Sequence, residues 1–383
     1  MMDLWATVPY YTAYLSKALL SEGIDLTVGS ISYYLDPGCF SGRGIRVDPG
    51  LVDYVGRLRL GRPIRRVLKF AEAMINLVAL TLRFALTPPD VVHVQYLPML
   101  KWRLPLDFWF LEYCRRRGAK IVLTVHDLMP HDTANTHRQT FFRLYGMVDK
   151  IICHSDHIKN ELHQQFEVPI RKITVIPHGP LFYDIPSQED KILDVLCVDR
   201  DSVIVLWQGI IFPYKGVDLL LEAWQRVEAD GLDATLIIAG TGAPDLLNQI
   251  EGQVEQLGLK RVKLHFRFIS TEELVQLYRA ADIVVYPYRA ITTSGALATG
   301  LALNKTIVAS NLQVFRELLT HKENAFLVEA GDAQHLADGL RELLRNAGLR
   351  ELLTAGVRKL DFGEQSWRSI AEKTIRVYRD ESC

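Results

Sequence analysis

Short apolar and β-branched runs alternate with longer amphipathic segments along this 383-residue chain. The short runs are typical of buried parallel strands, and the amphipathic segments are typical of helices. The predicted strands cover residues 25–30, 91–95, 120–125, 150–154 and 172–176, then 203–207, 234–239, 262–266, 282–286, 306–310 and 325–328. The predicted helices cover residues 11–22, 107–117, 156–166, 217–227, 243–257, 271–281, 294–303 and 333–345. This alternation predicts the α/β class, with two doubly wound parallel sheets.

A polar stretch with little periodicity, residues 184–201, separates the two series of strands. Because the chain is long enough for two cores, we expect one Rossmann-like domain at residues 1–180 and another at residues 181–363. The last helix, within residues 364–383, is expected to return to the first domain. Ligands of such sheets bind beyond the carboxyl ends of the strands, so the expected active site is a cleft between facing domains.

The composition of the chain argues against several classes of protein. The net charge of −1 gives no general attraction to nucleic acid, and the chain contains no nucleic-acid-binding motif. The five cysteines are scattered and form no CxxC pair, which argues against a disulfide framework or a structural zinc site. The chain does not begin with a basic segment followed by an apolar one, and its most apolar window, residues 68–86, contains three charges. These features predict a cytoplasmic protein.

One segment has a strong local charge bias. Six basic residues and no acidic residue occur from Arg57 to Lys69, directly before the apolar segment at residues 70–86. Two interpretations stay open: a solvated helix face that leads into a core helix, or an interfacial anchor for anionic lipid. The second interpretation predicts peripheral contact with the inner face of a membrane.

The string WQGIIFPYKGVDLLLEAW, residues 207–224, carries the clearest functional signal. An apolar run ends at Gly209, a short loop carries Lys215, and Gly216 begins an amphipathic helix. A helix N-terminus beside a lysine is how an α/β protein holds a phosphate. A surface lysine and ordinary turn geometry would give the same local pattern.

Residues 284–310 repeat this arrangement in a second place. A buried strand leads through a Thr-Thr-Ser-Gly loop into a helix of small residues that starts at Ser294 and Gly295. Backbone N–H groups at such a start can bind phosphate oxygens, while Ser294 can also serve as a simple N-cap. Two anion-binding helix starts in one domain predict a nucleotide-diphosphate site.

Seven strings, taken in order and spacing, resemble glycosyltransferase family 4. They are KIVLTVHDLMPHD (residues 120–132), IICHSDHIKNEL, ITVIPHG, GIIFPYKGVDLLLEAW, ATLIIAGTG, FISTEELVQLYRAADIVVYPYR and SGALATGLALNKTIVAS, and they span nearly the whole chain. The resemblance implies the GT-B fold and transfer of a sugar, usually with retention, from a nucleotide-sugar donor. It also implies a glycan or lipid-linked acceptor, a role in polysaccharide or glycoconjugate biosynthesis, and no cofactor.

The resemblance also implies roles for residues within these strings. His126 and Asp127, at a predicted strand end, would bind a hydroxyl of the donor sugar or manage a proton. The residues expected at the donor diphosphate are Gly209, Lys215, Ser294 and Gly295. Those expected around the nucleobase and ribose are Gly240, Gly242, Phe268 and Thr299. For His126 a histidine satisfied within the structure remains an alternative, and for the glycines so does turn geometry.

Three charged groups common in the family are missing. The arginine expected after the first glycine is Ile210 here, and the positions of two family glutamates hold Ile291 and Thr299. A diphosphate generally needs more than one cation, so Arg289 is the nearest candidate for a second one and Arg267 is an alternative. The missing charges leave two other functions open: a non-catalytic GT-B partner of another glycosyltransferase, or a sugar-nucleotide epimerase or hydrolase.

No metal-binding motif occurs at a predicted strand end. The DRD string at residues 199–201 lies in the polar connector and is interpreted as a turn, and the chain has no HExxH string or Cys/His cluster. We therefore expect a metal-independent protein.

Overall fold

The computed structural model describes residues 1–4, 6–30, 36, 38–47, 52, 54–55, 58, 61–97, 99–100, 105–129, 137–186, 191–199, 201–360, 362 and 364–381. The chain forms two compact units, the first made of Met1–Gly179 and Trp367–Cys383 and the second of Pro180–Ser366. Each unit contains a sheet of parallel strands, which confirms the predicted α/β class with two parallel sheets. Among the described helices, none has the length and hydropathy needed to cross a membrane.

The first sheet differs from the prediction at its beginning. Its strands are β1 (Met2–Asp3), β2 (Gly29–Ser30), β3 (Val91–Tyr96), β4 (Lys120–Val125), β5 (Lys150–Cys153) and β6 (Ile173–Val175). They are ordered β2-β1-β3-β4-β5-β6. The pattern does not predict β1, because a two-residue strand is too short to give a periodic signal. Of the strand predicted at residues 25–30, only the last two residues pair as β2.

Helices of the first unit pack on this sheet. They are α1 (Pro9–Ser21), α2 (Gly38–Ser41), α3 (Arg62–Leu86), α4 (Leu106–Arg116), α5 (Arg138–Met147) and α6 (Asp156–Phe166), together with a C-terminal helix (Glu364–Arg379). Ser155 begins α6 as an N-cap, because its side-chain oxygen accepts a hydrogen bond from the Ile158 N–H at 3.2 Å. Apolar side chains of α3, α4, α5 and α6 share one core cluster with those of β3, β4 and β5.

The C-terminal helix is docked on the first unit by aromatic packing and by hydrogen bonds. Trp367 stacks on Tyr14 with ring centroids 5.6 Å apart. A Cβ on Gly179 would collide with the Trp367 ring, so only glycine fits at the end of the ITVIPHG string. Lys120, at the start of β4, donates to the carbonyl oxygen of Tyr378 at 3.0 Å. The final turns of the chain are therefore part of the first unit.

The second sheet carries the predicted phosphate motifs. Its strands are β7 (Val203–Ile211), β8 (Ala234–Gly242), β9 (Val262–Phe266), β10 (Ile283–Tyr286), β11 (Thr306–Ser310) and β12 (Phe326–Val328). They are ordered β12-β11-β10-β7-β8-β9. Both β7 and β8 run several residues beyond their predicted ends, so that Gly209 and Gly240 pair directly across the two strands.

Helices on the second sheet hold the site elements in place. They are α7 (Ile192–Val195), α8 (Val217–Ala229), α9 (Pro244–Gln256), α10 (Thr271–Ala280), α11 (Gly295–Ala302), α12 (Gln313–Arg316), α13 (Ala333–Arg345) and α14 (Ala347–Arg358). Trp207 of β7 and Trp224 of α8 are fully buried in the same core cluster. Because burial of such large apolar side chains is worth several kcal/mol, this packing fixes α8 relative to β7 and with it the loop between them.

Candidate functional site

A tight corner joins β7 to α8 in the second unit. A 3₁₀ turn, Pro213–Lys215, follows the strand, and Gly216 then enters α8 with φ +65°. A Cβ on Gly216 would overlap the carbonyl oxygen of Pro287, so glycine is required both by the left-handed backbone and by the close approach of the neighbouring segment. The first turn of α8 is capped by its own Asp218, whose carboxylate accepts the N–H groups of Asp218 and Leu219.

Lys215 folds back over the end of β7. Its Nζ lies 5.9 Å from the centroid of the Tyr288 ring. It also lies 3.1 Å from the position that a Cβ on Gly209 would take. The missing side chain of Gly209 therefore leaves room for the lysine charge directly above the strand end.

The second helix start also contacts Tyr288. Ser294 is the N-cap of α11, since its side-chain oxygen accepts from the Leu297 N–H at 3.1 Å. The Tyr288 hydroxyl shares a hydrogen bond with the Ser294 side chain, and burial raises the pKa of Tyr288, which keeps this phenol neutral. The first turn of α11 contains no acidic residue. The two predicted phosphate motifs, Lys215 and Ser294–Gly295, therefore meet at Tyr288.

Hydrogen bonds from buried tyrosines also hold the first turn of α11 in place. The carbonyl oxygen of Ala296 accepts hydrogen bonds from the hydroxyls of Tyr286 at 2.7 Å and Tyr278 at 3.1 Å. A side chain at Gly300 would collide with the Tyr286 hydroxyl. The position of this helix start is thus set by several contacts with strand β10 and helix α10, as expected of a site that must stay preorganised.

Three of the residues predicted to contact the nucleoside, Gly240, Gly242 and Phe268, lie at or just after the ends of the paired strands β8 and β9. Gly240 and Gly242 form the end of β8, and a Cβ on Gly240 would overlap the carbonyl oxygen of Gly209. Phe268 is half-buried in the loop after β9, where its carbonyl oxygen accepts from Arg267 Nη1 at 3.0 Å. Arg267 also pairs with Glu273. The structure therefore places the Gly240 strand end beside Gly209, while Arg267 is bound to its own loop.

At the three positions where the family's charged groups are missing, the side chain is either apolar or hydrogen-bonded within the protein. Ile210 is exposed at the end of β7, and Ile291 is half-buried in the loop before α11. Thr299 is buried, and its hydroxyl donates to the carbonyl oxygen of Gly295 at 2.8 Å. Its predicted contact with ribose stays a prediction.

Arg289, predicted as a second cation, is bound to the corner between β7 and α8. Its guanidinium donates to both carboxylate oxygens of Asp218 at 2.8 Å and to the carbonyl oxygen of Pro213 at 2.8 Å. Its backbone N–H donates to the carbonyl oxygen of Tyr214 at 2.7 Å. The hydrogen bond from Arg289 holds the pKa of Asp218 below its usual range despite partial burial. This bidentate pair clamps the 3₁₀ turn that carries Lys215.

In the first unit, His126 and Asp127 follow directly after β4. Asp127 is exposed, whereas His126 is half-buried. The His126 ring meets Tyr11 edge-on at 4.8 Å, and its Nε2 donates to Gln95 Oε1 at 2.8 Å. Burial, together with His154 and other nearby histidines, holds the pKa of His126 well below its usual range. His126 is therefore neutral at neutral pH.

Two further strand-end histidines join His126 around Tyr11. His154 and His178 lie 5.2 Å and 5.0 Å from the Tyr11 ring, centroid to centroid, and 5.2 Å from each other. Burial lowers the pKa of His154 to about 4 and that of His178 to about 3. We call His126, His154 and His178 the histidine cluster. Across the part of the chain that the structure describes, no group of three His, Cys, Asp or Glu side chains is arranged to hold a metal ion.

The protein contains two parallel-sheet units. In the second unit, the loop that carries Lys215 and the capped helix start at Ser294 meet at Tyr288. Together these features define a protein of the GT-B fold class. A solved structure of Anabaena HepE in complex with UDP-glucose has this fold, with a TM-score of 0.75 at 17% identity over 98% of each chain. The sequence model for Glycosyltransferase Family 4 matches residues 8–179, and the model for Glycosyl transferases group 1 matches residues 202–346. The two models together match most of the chain, which shows a family-4-like glycosyltransferase of the GT-B fold, as the motifs predicted.

Two relatives indicate the range of the family. The chain is 27% identical over 257 residues to an uncharacterized glycosyltransferase of Methanocaldococcus jannaschii, a match that covers 66% of this chain and 65% of that one. It is 34% identical over 175 residues to a phosphatidyl-myo-inositol mannosyltransferase of Mycobacterium leprae, over 43% of each chain. The matches thus span from less than half to about two thirds of these relatives' length.

Proposed function

We propose that the protein is a glycosyltransferase that moves a sugar from a nucleotide-diphosphate donor to a hydroxyl of a glycan or lipid-linked acceptor. The observation that carries this proposal is the meeting of Lys215 and the Ser294 helix start at Tyr288. A lysine charge and the N-terminal end of a helix both attract a diphosphate. The similarity to family 4 supports the same reaction, and the relative named phosphatidyl-myo-inositol mannosyltransferase supports a lipid-linked acceptor.

In this proposal the loop groups act on the leaving diphosphate. As the bond between the sugar and the phosphate breaks, negative charge develops on the phosphate oxygens, and Lys215 and the α11 N–H groups stabilise it electrostatically. Gly295, without a Cβ, lets the phosphate approach the backbone. The strand-end residues His126 and Asp127 are proposed to bind a sugar hydroxyl or manage its proton. The residues proposed to contact the nucleoside are Gly240, Gly242, Phe268 and Thr299.

We propose that Arg289 adds a second positive charge while it clamps the loop. Its side chain is 40% exposed, so one edge of the guanidinium can face a phosphate even with Asp218 bound. Arg289→Ala is expected to weaken donor affinity about three- to tenfold, because a partly solvated charge contributes about 1 kcal/mol. Calorimetric titration of the sugar-nucleotide measures this.

Asp218→Asn separates the two roles of Arg289. If the arginine charge acts on the donor, removing its carboxylate partner keeps or raises donor affinity, because less of the charge is neutralised. If Arg289 only holds the loop, Asp218→Asn and Arg289→Ala weaken the donor equally. Equal losses, or unchanged affinity in Arg289→Ala beside a clear loss in Lys215→Ala, would contradict a direct role.

The experiment that tests the proposed function follows nucleotide release from a panel of UDP-, GDP-, dTDP- and ADP-sugars. We expect one donor to release its nucleotide much faster when a lipid-linked or glycan acceptor is added, with a new glycosidic product. Release at the same rate without acceptor would indicate a hydrolase, and a changed sugar on an intact nucleotide would indicate an epimerase. Absence of both binding and turnover would favour a non-catalytic partner protein.

We further propose that α3 rests on a membrane surface. Its inner face packs into the core through Ala73, Leu77 and Leu80. Its outer face is apolar but exposed, through the side chains of Ile64, Val67, Leu68, Ile75, Val78, Leu82 and Leu86. At 3.6 residues per turn these positions fall within about 100° of one another, so they lie on one stripe along the helix. Such a stripe suits burial at a lipid interface.

The basic run at the start of α3 favours anionic lipid as the occupant of this stripe. By helical spacing Arg65 and Arg83 lie beside it, while Lys69 is paired with Glu72 at 2.8 Å. Two other members of the run, Arg57 and Arg59, lie outside the described residues, as do the side chains of Arg62 and Arg66. Each basic residue close to an anionic surface adds about 1 kcal/mol to binding.

Vesicle flotation tests this contact. We expect the protein to float with vesicles that contain phosphatidylglycerol but not with phosphatidylcholine alone, and to be released by high salt. The double variant Val78→Glu/Leu82→Glu should weaken binding at least about tenfold, because two apolar side chains no longer enter the lipid. Leu352→Glu, at an exposed leucine of α14 in the second unit, is the matched control. Binding that ignores lipid charge and salt would contradict the proposal.

A further inference from the structure

The ring of Tyr288 is fixed by packing at the point where the two phosphate motifs meet. It is 1% exposed and packs on Tyr286 and Phe315, each with ring centroids 5.9 Å apart. Tyr214, which precedes Lys215 in the 3₁₀ turn, meets the ring nearly at a right angle, with centroids 6.5 Å apart. The Lys215 Nζ lies 5.9 Å from the centroid of the Tyr288 ring. These contacts involve the ring, so they remain when only the hydroxyl group is removed.

The Tyr288 hydroxyl has one hydrogen-bond partner among the residues that the structure describes, the side chain of Ser294. Because burial raises the pKa of Tyr288, the phenol keeps its proton. If Ser294 donated to Tyr288, this buried proton would lack an acceptor within the described part of the chain, which costs free energy. A phenol is also more acidic than an aliphatic hydroxyl and donates more strongly. Tyr288 is therefore the donor and Ser294 the acceptor.

The oxygen of Ser294 is then fully used as an acceptor. A serine hydroxyl has two lone pairs and one proton. One lone pair accepts from the Leu297 N–H at 3.1 Å, and the other accepts from Tyr288. The Ser294 proton must go to an acceptor other than these two, and the half-buried side chain is still open to solvent at the helix start. A hydroxyl that accepts hydrogen bonds also becomes a stronger donor, because the bonds polarise one another.

We propose that Tyr288 directs the Ser294 hydroxyl so that its proton is donated to a phosphate oxygen of the nucleoside diphosphate. Ser294 is the contacting residue, and Tyr288 is a positioning residue that acts through it. This contact is additional to the α11 N–H groups and to the Lys215 charge. Phosphate fits because its ionised oxygens only accept, and the first turn of α11 contains no acidic residue that would compete. The inference rests on the proposed function, because it takes a nucleoside diphosphate as the ligand.

Calorimetric titration of the full-length protein with UDP, GDP, dTDP and ADP measures this contact. Ser294→Gly removes the hydroxyl but is tolerated at an N-cap, and it should weaken binding of the preferred diphosphate about tenfold. Ser294→Thr keeps both a hydroxyl and the cap, so its affinity should stay within about threefold of wild type. Tyr288→Phe keeps the ring and should weaken binding about threefold to fivefold, because the serine proton is no longer directed at the phosphate.

The double variant distinguishes positioning from general structural damage. If Tyr288 acts through Ser294, Tyr288→Phe should change diphosphate affinity by less than about twofold in the Ser294→Gly background. Asn346→Gly is the matched control for the loss of an N-cap in the same unit, because it removes the side chain that accepts from the Leu349 N–H at 3.0 Å at the start of α14. It should leave diphosphate affinity unchanged.

If Tyr288→Phe does not fold, 3-fluorotyrosine at position 288 carries the test. Fluorine makes the phenol more acidic and therefore a stronger hydrogen-bond donor. Diphosphate affinity should then rise while Ser294 is present and stay unchanged in the Ser294→Gly background. Unchanged affinity in both backgrounds would overturn the positioning role of Tyr288.

The outcomes separate the possible failures. Equal losses from Tyr288→Phe in the two backgrounds would mean that Tyr288 acts independently of Ser294, and they would overturn the inference. So would a Ser294→Gly variant that binds the diphosphate as tightly as wild type, or a wild type that binds none of the four diphosphates. The expected affinities without any sugar transfer from the matching sugar-nucleotides to a lipid-linked or glycan acceptor would overturn the proposed function alone.

Discussion

Lys215→Ala is expected to lower kcat/KM for the sugar-nucleotide about 100-fold, the largest effect of any single side chain in the second unit. Removing one preorganised electrostatic group from a site that stabilises developing charge generally costs about 3 kcal/mol, and each 1.4 kcal/mol is a factor of ten. Arg289 is partly neutralised by its pair with Asp218, so it replaces only a small part of the lysine charge at this corner. Initial-rate kinetics with varied donor measure the loss.

Two further variants define what the lysine contributes. Lys215→Arg keeps the charge but changes its geometry, so it should fall between alanine and wild type. Lys322→Ala removes an exposed lysine of the same unit that pairs with Glu342 at 2.7 Å, and it should leave donor kinetics unchanged. A Lys215→Ala enzyme within about twofold of wild type would mean that the diphosphate is bound elsewhere.

Acidification from pH 7 to pH 5 is expected to lower the free energy of unfolding of the first unit by roughly 2–4 kcal/mol. His93 and His154 are buried and neutral, with pKa values lowered by burial to about 3 and about 4. In the unfolded chain a histidine has a pKa near 6.5, so below that pH the unfolded state binds more protons and gains stability. Each such histidine therefore contributes a loss of roughly 2 kcal/mol over this range, and the cluster members His126 and His178 act in the same direction.

Two buried carboxyl groups oppose this effect. Burial raises the pKa of Asp107 to about 7 and that of Asp3 to about 6, so between pH 7 and pH 5 the folded state takes up protons that the unfolded state does not. Together they offset the histidine effect by roughly 3 kcal/mol, so the net loss of unfolding free energy is smaller than the histidine contribution.

Urea unfolding at a series of pH values measures this loss of unfolding free energy. Two variants should change the loss in opposite directions. His178→Gln removes one histidine, so the loss between pH 7 and pH 5 should shrink by roughly 1–2 kcal/mol. Asp107→Asn removes an opposing group, so the loss should grow by roughly 2 kcal/mol. A stability that is flat across this range, or variants that change it in the same direction, would mean that the histidines are not held neutral by burial.

The fold could be predicted from the chain because local periodicity marks buried parallel strands well. The strands from residue 91 onward coincide closely with apolar runs, whereas β1 and β2 are too short to give a pattern and depend on pairing with β3. The corner at Lys215 and the helix start at Ser294 could also be located, since glycine, proline and N-cap residues report local backbone geometry.

The contacts around these motifs could not be predicted in the same way. Tyr288 links Lys215 with Ser294, and Asp218 binds Arg289 across 71 residues of chain, so neither contact leaves a local pattern. In the sequence, His93 is a polar residue within a largely apolar strand. Its hydrogen-bond partner Tyr378 is 285 residues away. Such long-range polar contacts are decided by tertiary packing, which a single sequence does not encode at any fixed spacing.

A diphosphate site at Lys215 and Ser294 can be tested through the unfolding temperature in the presence of nucleoside diphosphates and their matching monophosphates. We expect one diphosphate of the UDP, GDP, dTDP and ADP set to raise the unfolding temperature, its monophosphate to raise it much less, and Lys215→Ala to abolish the difference. No response to any diphosphate, or an equal response to the monophosphate, would contradict a diphosphate site at Lys215 and Ser294.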